Sequence, residues 1–180
     1  ESLEHEHKNL YVVTLDKNSS FYWQNDPEYP EILETLKFKQ IFLDKLSQSD
    51  GNYFWSTHLD LPSWKEELNA LLNQVHLLTF NNETSLNRQE RQDFIEITYL
   101  AILDRLTNKW NPTSMNITCR QGMDRAPSLM VLWMLQKGIS NKEELASLLL
   151  GAPLVIHNRA SHSSRIDRFI SAAKRIGRNL

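Results

Sequence analysis

The stretch of sequence that decides the fold is MNITCRQGMDRAP, residues 115–127, followed by the apolar run SLMVLWML. Residues 115–118 indicate a short strand. Pro127 suits the first turn of a helix, where its missing N–H costs nothing, and the apolar run predicts a buried helix to about Gln136. The segment therefore predicts a strand, a loop containing Gly122, and a helix, which is an arrangement found in α/β folds.

Hydrophobic periodicity predicts the remaining elements. Runs without helical spacing indicate three more strands: residues 10–15, 53–55 and 75–80. Apolar residues at helical spacing predict five more helices: residues 31–47, 63–73, 85–106, 141–150 and 163–176. Ser63, Ser85 and Asn141 are the expected N-caps, and Gly151 and Pro153 are expected to end the fourth helix. We therefore expect an α/β fold, a small central sheet flanked by helices, with a strand–loop–helix core.

The composition is that of an ordinary globular protein. The chain has 180 residues, 41% hydrophobic and 23% charged, which predicts a single domain over residues 1–180. The sequence does not begin with Met, so a fragment of a longer protein is also consistent. Its N-terminus is polar and acidic, unlike a signal peptide, and no apolar run is long enough to cross a membrane. Cys119 is the only cysteine, so no internal disulfide is expected and a cytoplasmic or other reducing compartment is favoured.

Charge is distributed unevenly along the chain. The net formal charge is −2, yet residues 157–180 carry six Lys or Arg and one Asp. A near-neutral protein with a basic C-terminal segment suggests an anionic partner near that end. Nothing in the sequence indicates a nucleic-acid partner.

Cys119 and Arg125 are the candidate catalytic pair. A loop that enters a helix N-terminus directs backbone N–H groups inward and adds the positive end of the helix dipole, which makes an anion site. The same field lowers the pKa of a cysteine, so Cys119 is expected to be a thiolate that attacks phosphorus. The planar guanidinium of Arg125 matches two phosphate oxygens and stays charged. Because Arg125 and the loop amides stabilise the transferring phosphoryl group, we expect neither a metal nor a cofactor.

The segment from Cys119 to Arg125 resembles the Cys-x5-Arg signature of the cysteine-dependent phosphatases. The likeness is closest to their phosphoinositide branch, which includes bacterial effector, Sac-type and myotubularin-type enzymes. Arg120 matches the basic position after the Cys, Gly122 the glycine, and Asp124 with Arg125 the closing pair. The resemblance implies a phosphatase-like strand–P-loop–helix core. It also implies a phosphoric monoester hydrolase that acts on a phosphoinositide or inositol phosphate through a phosphocysteine intermediate. It also implies the host cytosol as the location if the protein is a secreted bacterial effector.

The remaining loop residues Gln121, Gly122, Met123 and Ala126 are expected, by the same resemblance, to surround the bound phosphate. Two positions depart from the family pattern. The residue after the signature Arg is usually Ser or Thr, whose hydroxyl assists departure of the thiolate, whereas here it is Ala126. The residue before the Cys is often His, whereas here it is Thr118. Both departures bear on the rate of turnover more than on phosphate binding.

Two carboxylic acids are candidates for protonating the leaving oxygen. Asp60 lies in an upstream loop that loosely resembles the Trp-Pro-Asp loop of tyrosine phosphatases. The alternative for Asp60 is an ordinary solvated loop residue. Asp124 lies within the signature, and acids in this position are proposed for related phosphoinositide enzymes. Its alternative role is structural, because an Asp near a helix start satisfies backbone N–H groups.

Three arginines are candidates for binding further negative charge. Arg120 is placed to face a second phosphate, which favours a polyanionic headgroup over phosphotyrosine; the alternative is a solvated surface residue. Arg159 and Arg165 belong to the basic C-terminal segment, which is suited to peripheral contact with an anionic membrane. The alternative is a final helix that packs its apolar side on the core and directs its charges outward.

Three other functions stay open at the level of sequence. The first is a protein tyrosine or dual-specificity phosphatase. The second, which Ala126 favours, is a catalytically weak phosphatase-like module that binds phosphorylated lipid or protein. In the third, Cys119 is a buried core thiol without catalytic function.

Overall fold

The structure, a computed structural model, describes residues 2–48, 52–139 and 141–177, and helix makes up 61% of it. The helices are α1 (Ser2–Glu6), α2 (Ser20–Trp23), α3 (Thr35–Ser47), α4 (Leu61–Phe80), α5 (Arg88–Trp110), α6 (Arg125–Gln136), α7 (Lys142–His157) and α8 (Ser163–Arg175). Two three-residue strands, β1 (Ile32–Glu34) and β2 (Ser85–Asn87), pair antiparallel with Leu33 opposite Leu86. Within the described residues, no helix is both long and apolar enough to cross a bilayer.

The predicted α/β fold with a central sheet is wrong. Residues 10–15 and 53–55 contribute one isolated bridge, between Thr14 and Phe54, and residues 115–118 form no strand. Residues 75–80, predicted as a strand, are the last turns of α4. The reason is that their apolar residues continue the helical spacing of the preceding segment: Leu68, Leu71, Leu72 and Val75 are buried on one face. Extending an existing helix adds a hydrogen bond per residue without a new nucleus, which outweighs local strand propensity.

Helices α3, α4 and α5 begin or end at residues other than those predicted. The N-cap of α4 is Asp60, whose side chain accepts a hydrogen bond from the backbone N–H of Ser63 at 3.1 Å. Asn87 and Glu90 exchange 2.9 Å hydrogen bonds, a capping box that starts α5 after the predicted Ser85. The segment before α3 belongs to β1, so that helix is shorter than predicted.

The chain divides into two compact units, residues 1–98 and 99–180. In the first unit, α3 packs on α4 and on β1 around a cluster of buried aromatic rings. The Phe38 and Phe94 rings meet edge to face at 5.5 Å, and Phe80 lies 5.1 Å from Phe94. Such contacts add to the burial of apolar area in stabilising the unit. The prediction that residues 1–180 form a single domain stays a prediction.

Arg91 of α5 is a polar anchor inside the first unit. Its side chain is fully buried, and its guanidinium donates to the carbonyl oxygens of Pro30 at 2.6 Å and Leu86 at 2.7 Å. Its Nε donates to Oε1 of Gln24 at 2.7 Å. A buried cation is costly unless its N–H groups are paired. These bonds therefore fix both the chain entering β1 and the strand β2 to α5.

In the second unit, α6 packs against α7 and α8 through its nearly continuous apolar side. The predicted N-cap Asn141 is confirmed, since its side chain accepts from the backbone N–H of Glu143 at 3.1 Å. The predicted end of this helix is wrong, because Gly151 and Pro153 lie inside α7. Pro153 cannot donate to the carbonyl of Leu149, but the Ser161 hydroxyl donates to that oxygen at 3.4 Å. A tertiary contact thus helps α7 to continue through a proline.

The predicted last helix is confirmed, but two of its charged side chains are buried and not exposed as expected. α8 spans Ser163–Arg175, close to the predicted residues 163–176. Arg165 and Arg168 are buried rather than directed outward, while Lys174 is exposed. The basic character of the C-terminal segment is therefore only partly available at the surface.

Candidate active site

The Cys119 loop (residues 119–124) leads into α6 without a preceding strand. The helix begins at Arg125, two residues before the predicted Pro127. Gly122 has a φ of 70°, and its N–H donates to the carbonyl of Cys119 at 3.0 Å, which closes a turn. Most side chains would be strained in this left-handed conformation, so the turn favours glycine. The loop therefore owes its shape to a local turn and a helix start, and not to a sheet edge.

Cys119 lies in a field of backbone N–H groups. Burial raises the pKa of its half-buried thiol, but hydrogen bonds from the backbone of Ala126, Gln121, Gly122 and Arg125 lower it further than burial raises it. The net pKa of Cys119 is therefore below that of an ordinary thiol. Backbone donors from a loop and the first turn of a helix are a known way to hold an anion. Donors of this kind suit a bound anion as well as a thiolate.

Arg125 and Arg120 supply positive charge next to this loop. Arg125 is half-buried at the first position of α6, and Arg120 is exposed directly after Cys119. No ion pair among the described parts of the chain includes either guanidinium. Two arginines without a carboxylate partner beside a nest of N–H groups favour an external anion.

Asp124, predicted as a catalytic acid, forms an ion pair with Arg159, predicted to bind substrate. Their Oδ2 and Nη2 atoms are 2.7 Å apart, and Oδ1 and Nη1 are 3.2 Å apart. The side-chain hydrogen bond from Arg159 holds the pKa of Asp124 below its usual value, against the effect of burial, and the backbone of His162 assists. Asp124 is therefore ionised at neutral pH, a state that cannot donate a proton. The ion pair therefore favours a structural role for Asp124. It also engages the guanidinium of Arg159, which was predicted to bind substrate.

The other predicted substrate-binding residues are divided between surface and core. Gln121 and Gly122 are exposed, so they are accessible to a ligand. The side chains of Met123 and Ala126 are buried. Met123 therefore anchors the loop in the core, and Ala126 faces the Cys119 thiol only with its backbone N–H. Arg165 is buried in the first turn of α8, so it is not a surface cation.

Asp60, the other predicted acid, belongs to the first unit. There it caps α4, with its carboxylate accepting from the N–H of Ser63. This contact accounts for an Asp at this position without any catalytic role. Its role as a general acid stays a prediction.

Sequence reasoning missed the contribution of the segment between α7 and α8. Arg159 fixes Asp124 by its side chain, and His162 does so by its backbone. Asp124 and Arg159 are 35 positions apart in the sequence. Opposite charge is the only signal in the sequence, and it does not single out Arg159 among the basic residues.

Comparison with known proteins identified no relative: no family model, no curated protein and no solved structure matches the chain. Across the described residues, no three His, Cys, Asp or Glu side chains converge as a group able to hold a metal ion. Function is therefore inferred from the geometry of the Cys119 loop.

Proposed function

We propose that this protein is a cysteine-dependent phosphatase that hydrolyses a phosphate monoester of a phosphoinositide or inositol phosphate. The observation that carries the proposal is the set of four backbone N–H groups around Cys119, which lower the pKa of its thiol despite burial. A thiolate held in an anion-binding loop is the activated nucleophile that covalent phosphoryl transfer requires. A core thiol without function would need none of these donors.

The reaction follows from the groups in the loop. The Cys119 thiolate attacks phosphorus, an Sγ–P bond forms, and the ester P–O bond breaks as the leaving oxygen takes up a proton. Arg125 and the loop N–H groups stabilise the charge on the equatorial oxygens of the transferring group. Water then hydrolyses the phosphocysteine, which releases inorganic phosphate and restores the thiol. In the observed pairing Asp124 is unsuited to supply the first proton, so a water molecule is the proposed donor.

The proposed substrate is a headgroup with more than one phosphate. Arg120 is exposed and Arg125 is half-buried, so one cation is available for the reacting phosphate and a second for its neighbour. Arginine binds phosphate oxygens through two parallel N–H groups, which gives each cation its own phosphate. A polyphosphorylated inositol ring offers that pattern, and phosphotyrosine does not.

The test is phosphate release from a panel of vesicle phosphoinositides, soluble inositol polyphosphates and phosphotyrosine peptides. We expect the wild type to release phosphate from the inositol compounds, and Cys119→Ser to release none. Arg120→Ala should lose at least about tenfold more activity on polyphosphates than on monophosphates, because one charge-assisted bond is removed. Arg88→Lys, an exposed arginine of the first unit, is the matched control and should match the wild type. No release from any substrate would exclude the enzymatic function.

A second function has one observation in its favour. The residue after Arg125 is Ala126, which lacks the hydroxyl that assists thiolate departure in the phosphatases that the loop resembles. A module that binds phosphorylated headgroups without turning them over is consistent with that position. It predicts that Cys119→Ser binds inositol polyphosphate as tightly as the wild type, and that neither releases phosphate.

A further inference from the structure

The C-terminal turn of α7 is an exposed apolar surface, which we call the apolar tip (residues 154–156). Leu154, Val155 and Ile156 are 58%, 83% and 63% exposed, while Pro153 before them is buried. Three consecutive residues cover about 200° of a helix circumference at 100° per residue. The end of α7 is thus apolar over more than half of its circumference, whereas a helix that docks in a protein groove carries a narrower apolar stripe.

The apolar tip is joined closely to the Cys119 loop. α7 ends at His157, and Asn158 turns the chain in a left-handed conformation with a φ of 47°. The next residue, Arg159, forms the ion pair with Asp124 at the end of the loop. Three residue steps from Ile156 to Arg159 span at most about 11 Å. A surface that meets the apolar tip therefore lies beside the candidate site.

The Cys119 loop, to which the Arg159–Asp124 ion pair joins the end of α7, is positively charged. The Cys119 loop, the start of α6 and the segment up to His162 carry Arg120, Arg125 and Arg159 against Asp124, a net of +2 with the histidines neutral. Apolar residues that insert into acyl chains, next to cations that meet anionic headgroups, are the pattern of an interfacial membrane contact. Exposed apolar patches of this kind are otherwise unfavourable in water.

We propose that the apolar tip docks the protein on an anionic membrane, with Leu154, Val155 and Ile156 inserted among the acyl chains and the Cys119 loop facing lipid headgroups. This inference rests on the proposed function, because it makes a membrane phosphoinositide the substrate. It also changes the site of membrane contact from the basic residues of α8, where Arg165 and Arg168 are buried, to the end of α7.

The first test is cosedimentation of the full chain with vesicles of phosphatidylcholine alone and of phosphatidylcholine with phosphatidylserine. The Cys119→Ser background is used, so that no chemistry occurs. The double variant Val155→Asp/Ile156→Asp should bind the anionic vesicles at least about tenfold more weakly, since burial of a Val or Ile side chain is worth about one decade or more. The matched control is Leu77→Asp/Leu78→Asp on α4, an apolar pair that is 54% and 68% exposed and should bind as before.

The second test does not depend on a disruptive substitution. With Cys119 replaced by Ser, Val155→Cys becomes the only cysteine and can carry an environment-sensitive fluorophore. We expect a blue shift of its emission on anionic vesicles, and no shift for the same label at Leu78→Cys. An unshifted label at residue 155 would overturn the proposal, as would vesicle binding that Val155→Asp/Ile156→Asp leaves intact.

Two further outcomes separate this inference from the proposed function. In the chain that retains Cys119, the ratio of activity on vesicle lipid to activity on soluble headgroup should fall about tenfold in Val155→Asp/Ile156→Asp. Vesicle binding through the apolar tip without any phosphate release would exclude the phosphatase and keep the membrane contact. Headgroup hydrolysis without vesicle binding would support the phosphatase and exclude the membrane contact. A wild-type dimer that becomes monomeric in the variant would assign the apolar tip to a second copy and overturn the proposal.

Discussion

Asp124 and Arg159 form a two-pronged ion pair, with Nη2 to Oδ2 at 2.7 Å and Nη1 to Oδ1 at 3.2 Å. The pair joins the last residue before α6 to the chain that follows α7. Nη1 of Arg159 also donates to the carbonyl of Ala160 at 2.8 Å, which fixes the plane of the guanidinium. We infer that Arg159 is a positioning residue, because it acts on the Cys119 loop through Asp124.

Breaking this pair should loosen the N–H groups around Cys119. In Arg159→Gln, we expect the pKa of the Cys119 thiol to rise towards its ordinary value, so that alkylation at pH 7 becomes several-fold slower. Arg159→Lys should restore part of the rate, because a single cation keeps one of the two bonds. Asp167→Asn, an exposed carboxylate of α8, is the control. An alkylation profile in Arg159→Gln that matches the wild type would refute the positioning role.

The same pair predicts a dependence on acid. Arg159 lowers the pKa of Asp124 in the folded state, so the stability that the pair contributes is complete above the unfolded pKa of Asp, about 3.9. It is lost as pH falls through the lower folded value. Thermal melts of the wild type and Asp124→Asn should therefore converge in strong acid and differ near neutral pH. A difference that does not change with pH would contradict this assignment.

Cys119 should ionise at a lower pH than an ordinary thiol. Backbone hydrogen bonds lower its folded pKa, so the thiolate forms at a lower pH than in an ordinary thiol, whose midpoint is about 8.5. Rates of alkylation by iodoacetamide against pH measure that midpoint directly. Inorganic phosphate or vanadate should slow the reaction by occupying the loop. A midpoint at or above 8.5 without protection by either anion would indicate a plain core thiol.

Ala126 predicts that breakdown of the phosphocysteine limits turnover. Ala126→Ser places a hydroxyl after Arg125, as in the phosphatases that the loop resembles, and is expected to raise steady-state phosphate release several-fold. The first-turnover rate should change little, since attack by Cys119 precedes that step. Rapid-quench kinetics separates the two phases. A fall in both phases would mean that the buried position does not tolerate the hydroxyl.

Arg91 should be important for stability and not for chemistry. Arg91→Lys keeps the charge but cannot reach the carbonyls of Pro30 and Leu86 and the side chain of Gln24 together. We expect unfolding by urea to show a loss of about 2–4 kcal/mol, from buried polar groups left without partners. Arg88→Lys on the exposed side of α5 is the control and should change stability little. Equal stability of both variants would contradict the anchoring role.

The local conformation around Cys119 was partly predictable, while the surrounding fold was not. The loop that contains Gly122 and the start of a buried helix near Pro127 follow from residue types within a few positions. The strand prediction for residues 75–80 was wrong because a short apolar run does not distinguish a strand from a buried helix. Residues 75–80 became helical through the spacing of residues that precede them.

Two other features that the sequence did not predict, the continuation of α7 past Pro153 and the pairing of Arg159, depend on contacts between residues distant in sequence. Pro153 stays inside α7 because Ser161 donates to the carbonyl that the proline leaves without a donor, a contact between positions 12 apart. Arg159 was predicted to bind substrate on charge alone, yet its geometry pairs it with Asp124. Neither contact has a periodicity or a motif in the sequence. Both depend on how α6, α7 and α8 pack.

The most direct test of the account is detection of the phosphocysteine. The chain is mixed with a soluble inositol polyphosphate, quenched within a turnover and digested, and the peptide that contains Cys119 is analysed by mass spectrometry. We predict a phosphoryl group on Cys119 in the wild type, an accumulated amount that falls in Ala126→Ser, and none in Cys119→Ser. Phosphate release that continues undiminished in Cys119→Ser, or a phosphoryl group on another residue, would contradict the central claim.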